Sequence, residues 1–205
     1  MKNKFGKIMV LGLFIMIFLV ACINATESGR IEGYYIGDGG FVVSKKSENF
    51  APGDLILASN KTDQEGLIFG QNYSILVEDE ISTTTPPSFK IKLISEDLGR
   101  FEYLNMSFVR ASSIMGVYSD KYYLVDLRSP EEYAEGHVPG AINISLDQIE
   151  AGESLEEINR KDQMVFVYGQ SQRQGRDGAK ALTNLGYKIV FDLGEIKGYQ
   201  NQLEK

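Results

Sequence analysis

The segment YYLVDLRSPEEYAEGHVPGAINIS (122–145) restricts the fold more than any other stretch of this chain. YYLVDLR is a compact apolar strand. Ser129 follows as an N-cap, Pro130 suits the first helical position, and Glu132 completes a capping box, so a helix must start there. Gly136 can end it within two turns, and AINIS reads as another short strand. The same grammar returns at MVFVYGQSQRQGRDGAKALTNLGYKIVFDL (164–193), which reads as strand, loop, helix and strand. Ala179, Leu182 and Leu185 share one helix face, and Gly186 is a natural C-terminal stop. Between the two blocks, SLEEINRKDQ reads as a helix and its exit. EIKGYQNQLEK reads as a final helix. Strands alternating with helices imply an α/β fold, a parallel sheet flanked by helices.

Before about Tyr103 the pattern is different. IEGYYI, GFVVS, DLILAS, EGLIFG, YSILVE and SFKIKLI are short runs rich in β-branched and aromatic residues. GDGG, APGD, NKTDQ and TTTPPS punctuate them as turns. Six such runs suggest a small all-β barrel or sandwich, and an OB-like barrel is the preferred form. Ser82–Ser88 is read as a hairpin loop rather than a linker, because SFKIKLI alternates like one more strand.

The N-terminus reads as an address. Lysines 2, 4 and 7 precede an apolar run from Ile8 to Ala21, too short for a typical spanning helix of about 20 residues. The ending LVAC (19–22) resembles the lipobox of bacterial lipoproteins. That resemblance implies cleavage before Cys22 and lipid attachment to its sulfur. The expected layout is a signal peptide over 1–21, a lipidated tether over 22–30, a β domain over 31–102 and an α/β domain over 103–205. The expected location is the cell membrane, lipid-anchored and facing outside the cytoplasm, with membrane lipid as partner through Cys22. An uncleaved anchor helix is the alternative.

Composition narrows the function classes. Hydrophobic residues make up 43% and charged residues 24%, ordinary for a globular chain. Losing the first 21 residues would take the formal charge from −7 to −10. So acidic a chain does not suit nucleic-acid binding. Cys22 is the only cysteine and His137 the only histidine, which leaves no internal disulfide and no Cys/His metal cluster. No cofactor is expected. Glu78, Asp79 and Glu80 could be imagined as a cation site, but a solvated acidic turn is the simpler reading. Asn24, Asn60, Asn72, Asn105 and Asn143 each start an N-x-Ser/Thr triplet, without meaning in a bacterial lipoprotein.

LVDLRSPEEYAEGHVPGAINI (124–144) resembles the signature of rhodanese-like domains, through Asp126, Arg128, Glu132, Gly136, His137, Pro139, Gly140 and Ala141. VFVYG and GAKALTNLGYKIVFDLGEIKGYQ fall where that family has its active-site strand, helix and closing segment. The resemblance covers about the last 100 residues. It implies that the strand Val165–Tyr168 should end in a cysteine whose thiolate carries sulfur as a persulfide. Here Gly169 takes that place. The resemblance also implies structural roles for Asp126 and Arg128, which organise loops, and for His137, Pro139 and Gly140, which form a turn.

The loop Gly169, Gln170, Ser171, Gln172, Arg173, Gln174, Gly175 and the following Arg176 is then the candidate anion or ligand site. Inward backbone N–H groups and two arginines near a helix start would suit an anion. The plainer alternative leaves both arginines in solvent, compensated by Asp177. Ser171 and Tyr168 are the nearest substitutes for a thiol, but an alkoxide needs an adjacent base. The expected function is a membrane-anchored lipoprotein with a catalytically inactive rhodanese-like domain that binds a small anion or a protein. Two alternatives stay open. One is an enzyme using a non-cysteine residue or a partner's thiol. The other is a structural envelope protein whose β domain binds a partner.

Overall fold

The computed structural model describes residues 29–59, 66–82, 86–100, 102–152 and 155–205. The segment 1–21, Cys22 and the side chains of Glu78, Asp79 and Glu80 lie outside the described set.

The first half is a closed five-stranded barrel of β1 (Arg30–Gly37), β2 (Gly40–Val43), β3 (Leu55–Ala58), β4 (Gln71–Ser82) and β5 (Ser88–Arg100). The strand order is β1-β2-β3-β5-β4, and β1 closes antiparallel on β4. The β3–β5 pairing is parallel, Leu57 beside Ser88 and Ala58 beside Phe89. The β1–β2 turn is tight because Gly37, Asp38 and Gly39 all take positive φ (89°, 47° and 77°), a conformation open to glycine and tolerated by aspartate.

Side chains alternate across each strand. Phe41 and Val43 point inward and pack with Ile31, Ile56, Tyr73, Ile75, Phe89 and Ile91. Val42, with Ile36 and Leu55, belongs to the other, larger core. All four residues of β2 are therefore buried, two against the barrel interior and the rest against what lies outside.

The second half is a parallel sheet in the order β6-β10-β9-β7-β8. Its strands are β6 (Leu104–Asn105), β7 (Tyr122–Asp126), β8 (Ile142–Asn143), β9 (Met164–Gly169) and β10 (Ile189–Glu195). The helices are α1 (Phe108–Val117), α2 (Pro130–Glu135), α3 (Leu146–Glu150) and α4 (Gln172–Asn184). β9, central and fully buried, carries the apolar run expected of a strand covered on both faces. Gly175 and Gly178, one turn apart, let α4 lie close on the sheet. A Cβ at Gly178 would stand 2.4 Å from Leu127 Cδ1, and one at Gly175 2.4 Å from Asp192 Oδ1.

The halves are joined through α1. Tyr118 caps this helix, is buried, and donates from its hydroxyl to Gly37 O at 2.9 Å. Arg110 Nε pairs with Asp54 Oδ1 at 2.9 Å, and Lys121 pairs with Asp38. A Cβ on Gly40 would fall 2.0 Å from the Tyr118 hydroxyl, so this close approach depends on glycine.

Three sequence expectations need correction, and one further element was not expected. EGLIFG is no strand: Gly66 and Gly70 bracket it with φ of 88° and 83°, and its Ile68 N–H bonds the Tyr73 hydroxyl. The helix expected in SLEEINRKDQ is a single 3-10 turn over Glu156–Ile158, while α3 forms one segment earlier. The final helix is only a 3-10 turn, Ile196–Gly198, after which the chain runs extended. There Glu204 exchanges backbone hydrogen bonds with His137 instead of continuing a helix. Lastly, α1 is a complete helix that the sequence reading passed over, N-capped by Ser107.

Candidate functional site

Parallel sheets bind ligands outside the carboxyl ends of their strands. Here that edge holds Asp126 at the end of β7 and Tyr168 and Gly169 at the end of β9, with Asp192 midway along β10.

Asp126 and Arg128 form a buried forked pair. Arg128 Nη2 donates to Oδ2 at 2.7 Å, Nε lies 3.0 and 3.1 Å from the two oxygens, and the Arg128 backbone N–H donates at 2.9 Å. The same guanidinium donates to Gly136 O at 2.7 Å, tying the end of α2 to the strand. Burial pulls the Arg128 guanidinium down, but the Asp126 hydrogen bonds and charge outweigh it and leave its pKa raised. Asn143 Nδ2 donates to the carbonyls of both Asp126 and Arg128. The pair spends its hydrogen bonds on loops.

The stretch Gly136–Gly140 wraps over this pair. The His137 ring stacks on Tyr133 at 3.7 Å and 11°, and Nδ1 lies 3.1 Å from Tyr133 O. Tyr133 donates from its hydroxyl to Ala141 O, and Val138 N–H donates to the Tyr168 hydroxyl at 3.0 Å. Gly140, after Pro139, turns the chain with φ of 78°. Burial is the main cause that raises the Tyr168 hydroxyl above its ordinary value.

The loop expected over Gly169–Gly175 is much shorter. Only Gln170 and Ser171 connect β9 to α4, and Gln172, Arg173, Gln174, Gly175 and Arg176 are already helical. The reason is local: Ser171 takes extended backbone angles and its Oγ accepts from Gln174 N at 3.2 Å, so the helix is capped a turn earlier. That bond uses one acceptor position of the Ser171 hydroxyl, and no base is paired with it. Arg173 and Arg176 both turn to Asp177, at 3.3 and 3.7 Å, and their side chains are 84% and 49% exposed. They do not converge on the turn.

Gln174, named in the expected loop, and Asp192, which sequence reasoning missed, complete the hydrogen bonding here. Gln174 Oε1 accepts from Gln170 N at 2.7 Å, and its Nε2 donates to Leu127 O at 2.9 Å. Asp192 is buried, accepting from Gly194 N at 2.8 Å and Asn105 Nδ2 at 3.2 Å. Burial raises its carboxyl above the usual range against these bonds and the Arg176 charge. An aspartate inside the apolar run IVFDL was the available signal. Among the described residues, no buried side-chain polar atom lacks a partner and no group of acidic, His or Cys residues could hold a metal.

Residues 113–202 match the family described as Rhodanese-like domain. YibN of Escherichia coli (strain K12) is 38% identical over 72 residues, 35% of this chain and 50% of YibN. The thiosulfate sulfurtransferase PspE of the same strain is 34% identical over 73 residues, 36% of this chain and 69% of PspE. The match thus spans half of one relative and about two thirds of the other. A solved structure titled "rhodanese with anions from E. coli" is 31% identical, covering 41% of this chain and 98% of that one, with a TM-score of 0.38. Through residues 113–202, this chain belongs to the rhodanese-like family.

Proposed function

We propose that this protein is an exported lipoprotein, anchored through Cys22, whose rhodanese-like domain has given up sulfur transfer and serves as a binding or interaction module. Gly169 is read as standing where the family keeps its sulfur-carrying cysteine. One observation carries the reading: β9 ends in Gly169, and the only thiol of the chain is Cys22, before the barrel. Transfer from thiosulfate needs a thiolate to take the sulfane sulfur, release sulfite, and pass the sulfur to an acceptor. Neither Tyr168, buried with its hydroxyl raised, nor Ser171, held as a cap, is prepared to replace it.

The barrel is read as OB-like, from its strand order and its parallel β3–β5 pair. Such barrels bind ligands on the face of strands 2 and 3. Here Val42 and Leu55 of those strands pack into the core that includes α1. That supports a barrel that mounts the rhodanese-like domain rather than offering this face to a ligand. The test is production of thiocyanate from thiosulfate and cyanide by the full chain. No turnover above buffer is expected, and clear turnover would end the inactive reading. Mass spectrometry of the membrane fraction should separately show a chain starting at a lipid-modified Cys22. An intact signal segment, or a soluble chain cut elsewhere, would refute lipidation at Cys22.

A further inference from the structure

Three helices of the rhodanese-like half begin with the same pattern, a serine followed three residues later by Glu or Gln: Ser129/Glu132, Ser145/Gln148 and Ser171/Gln174. In the first two the pattern closes on itself. Ser129 N donates to Glu132 Oε2 at 3.2 Å, and Ser145 N donates to Gln148 Oε1 at 2.9 Å, the reciprocal capping box. In the third, only the serine does its part. Gln174 bypasses the Ser171 N–H, accepts from Gln170 N at 2.7 Å, and donates to Leu127 O at 2.9 Å. Its amide therefore bridges the end of β9 and the residue after β7.

The reason for the diversion is the space at Gly169. A Cβ there would stand 2.7 Å from Gln174 Oε1, 2.9 Å from its Cβ and 3.0 Å from its Cγ. Gly169 is outside the left-handed region, so its backbone does not demand glycine. What demands it is the glutamine side chain lying where a residue-169 side chain would be. The amide oxygen also consumes the first N–H after β9, a donor that an anion in this turn would use.

We propose that Gln174 is a built-in occupant of the rhodanese-like pocket, an internal amide that closes it to small oxyanions and to any thiol, whether from this chain or from a partner. The proposal rests on reading Gly169 at the cysteine's place, and it adds that the pocket is filled rather than merely lacking its nucleophile. Restoring a cysteine at 169 alone then fails to restore a reactive thiol, because the glutamine must leave as well.

Two measurements test it. The first is amide hydrogen exchange at Gln170 in the native chain, Gln174→Ala and Gln174→Glu. Loss of the acceptor should speed exchange by roughly tenfold in the alanine variant, while Glu, which keeps an acceptor oxygen, should preserve the protection. Equal rates in native and Ala chains would overturn the occupancy. The second compares iodoacetamide alkylation of Gly169→Cys with that of Gly169→Cys/Gln174→Gly. The double variant should react at least about tenfold faster, or fold where the single one does not. A single variant that folds and reacts as fast as the double shows that nothing blocks position 169. If neither folds, the exchange result decides. Native turnover of thiosulfate would sink the inactive reading while leaving the exchange test standing, so the two failures are separable.

Discussion

The barrel and the rhodanese-like sheet bury their apolar residues in different ways. Among the described residues, the barrel interior holds eight buried hydrophobic residues, all supplied by its own five strands. The larger core is not confined to its own half: Ile36, Val42 and Leu55 of the barrel belong to it with Phe108, Ile114 and Tyr118. The barrel keeps an interior of its own, whereas the α1 side of the sheet shares its core with Ile36, Val42 and Leu55. Buried aliphatic side chains such as these contribute about 1.5–3 kcal/mol each. A boundary near residue 103 thus separates strands without separating cores.

The largest effect should come from removing the barrel. Residues 102–205, which begin after β5 ends at Arg100, should still fold alone. That piece should unfold in one transition, but destabilised by more than the roughly 3–5 kcal/mol of a single large core truncation. A denaturant midpoint equal to that of the whole chain would break the shared core. Next is Asp126→Ala, which strands a buried guanidinium and should cost about 3–5 kcal/mol in equilibrium unfolding. A loss under about 1 kcal/mol would mean that Arg128 finds water.

Gly40→Ala should cost about 1–3 kcal/mol by pressing on Tyr118. Tyr118→Phe alone should cost about 1 kcal/mol for its lost hydrogen bond to Gly37. Combined, they should cost less than their sum, because Phe lacks the oxygen that the new Cβ meets first. Strict additivity would deny that this contact joins the halves. The smallest effect concerns Asp192. A carboxyl raised on folding favours the folded state below its unfolded pKa and loses that contribution as pH rises through the folded value. The native chain should therefore gain on Asp192→Asn as pH is lowered from neutrality. A pH-independent difference between the two would refute the burial cost.

Local signals were legible where they act locally. Ser129, Pro130 and Glu132 announced α2, and Gly186, with φ of 93°, ends the chain segment after α4 as expected. The apolar run of β9 announced a buried central strand. The Ser145/Gln148 box announces α3 as clearly, one segment before SLEEINRKDQ, whose charged residues look helical without such a cap. EGLIFG misled because β-branched and aromatic residues say nothing of φ, which its two glycines fix. At the candidate site, the sequence showed that position 169 lacks a thiol. It could not show that Gln174 fills the space, since the contact depends on how α4 seats against Leu127. For the arginines, the plainer of the two readings describes the geometry: both pair with Asp177 and stay largely in solvent.

The strand edges have a consequence for solubility. The barrel closes on itself, and the outermost strands of the parallel sheet, β6 and β8, are two residues each. A long, unpaired strand border is a template on which another chain can add itself, and short borders deny it a foothold. Among the described residues, the parallel sheet therefore presents little border through which it could grow from one molecule into the next.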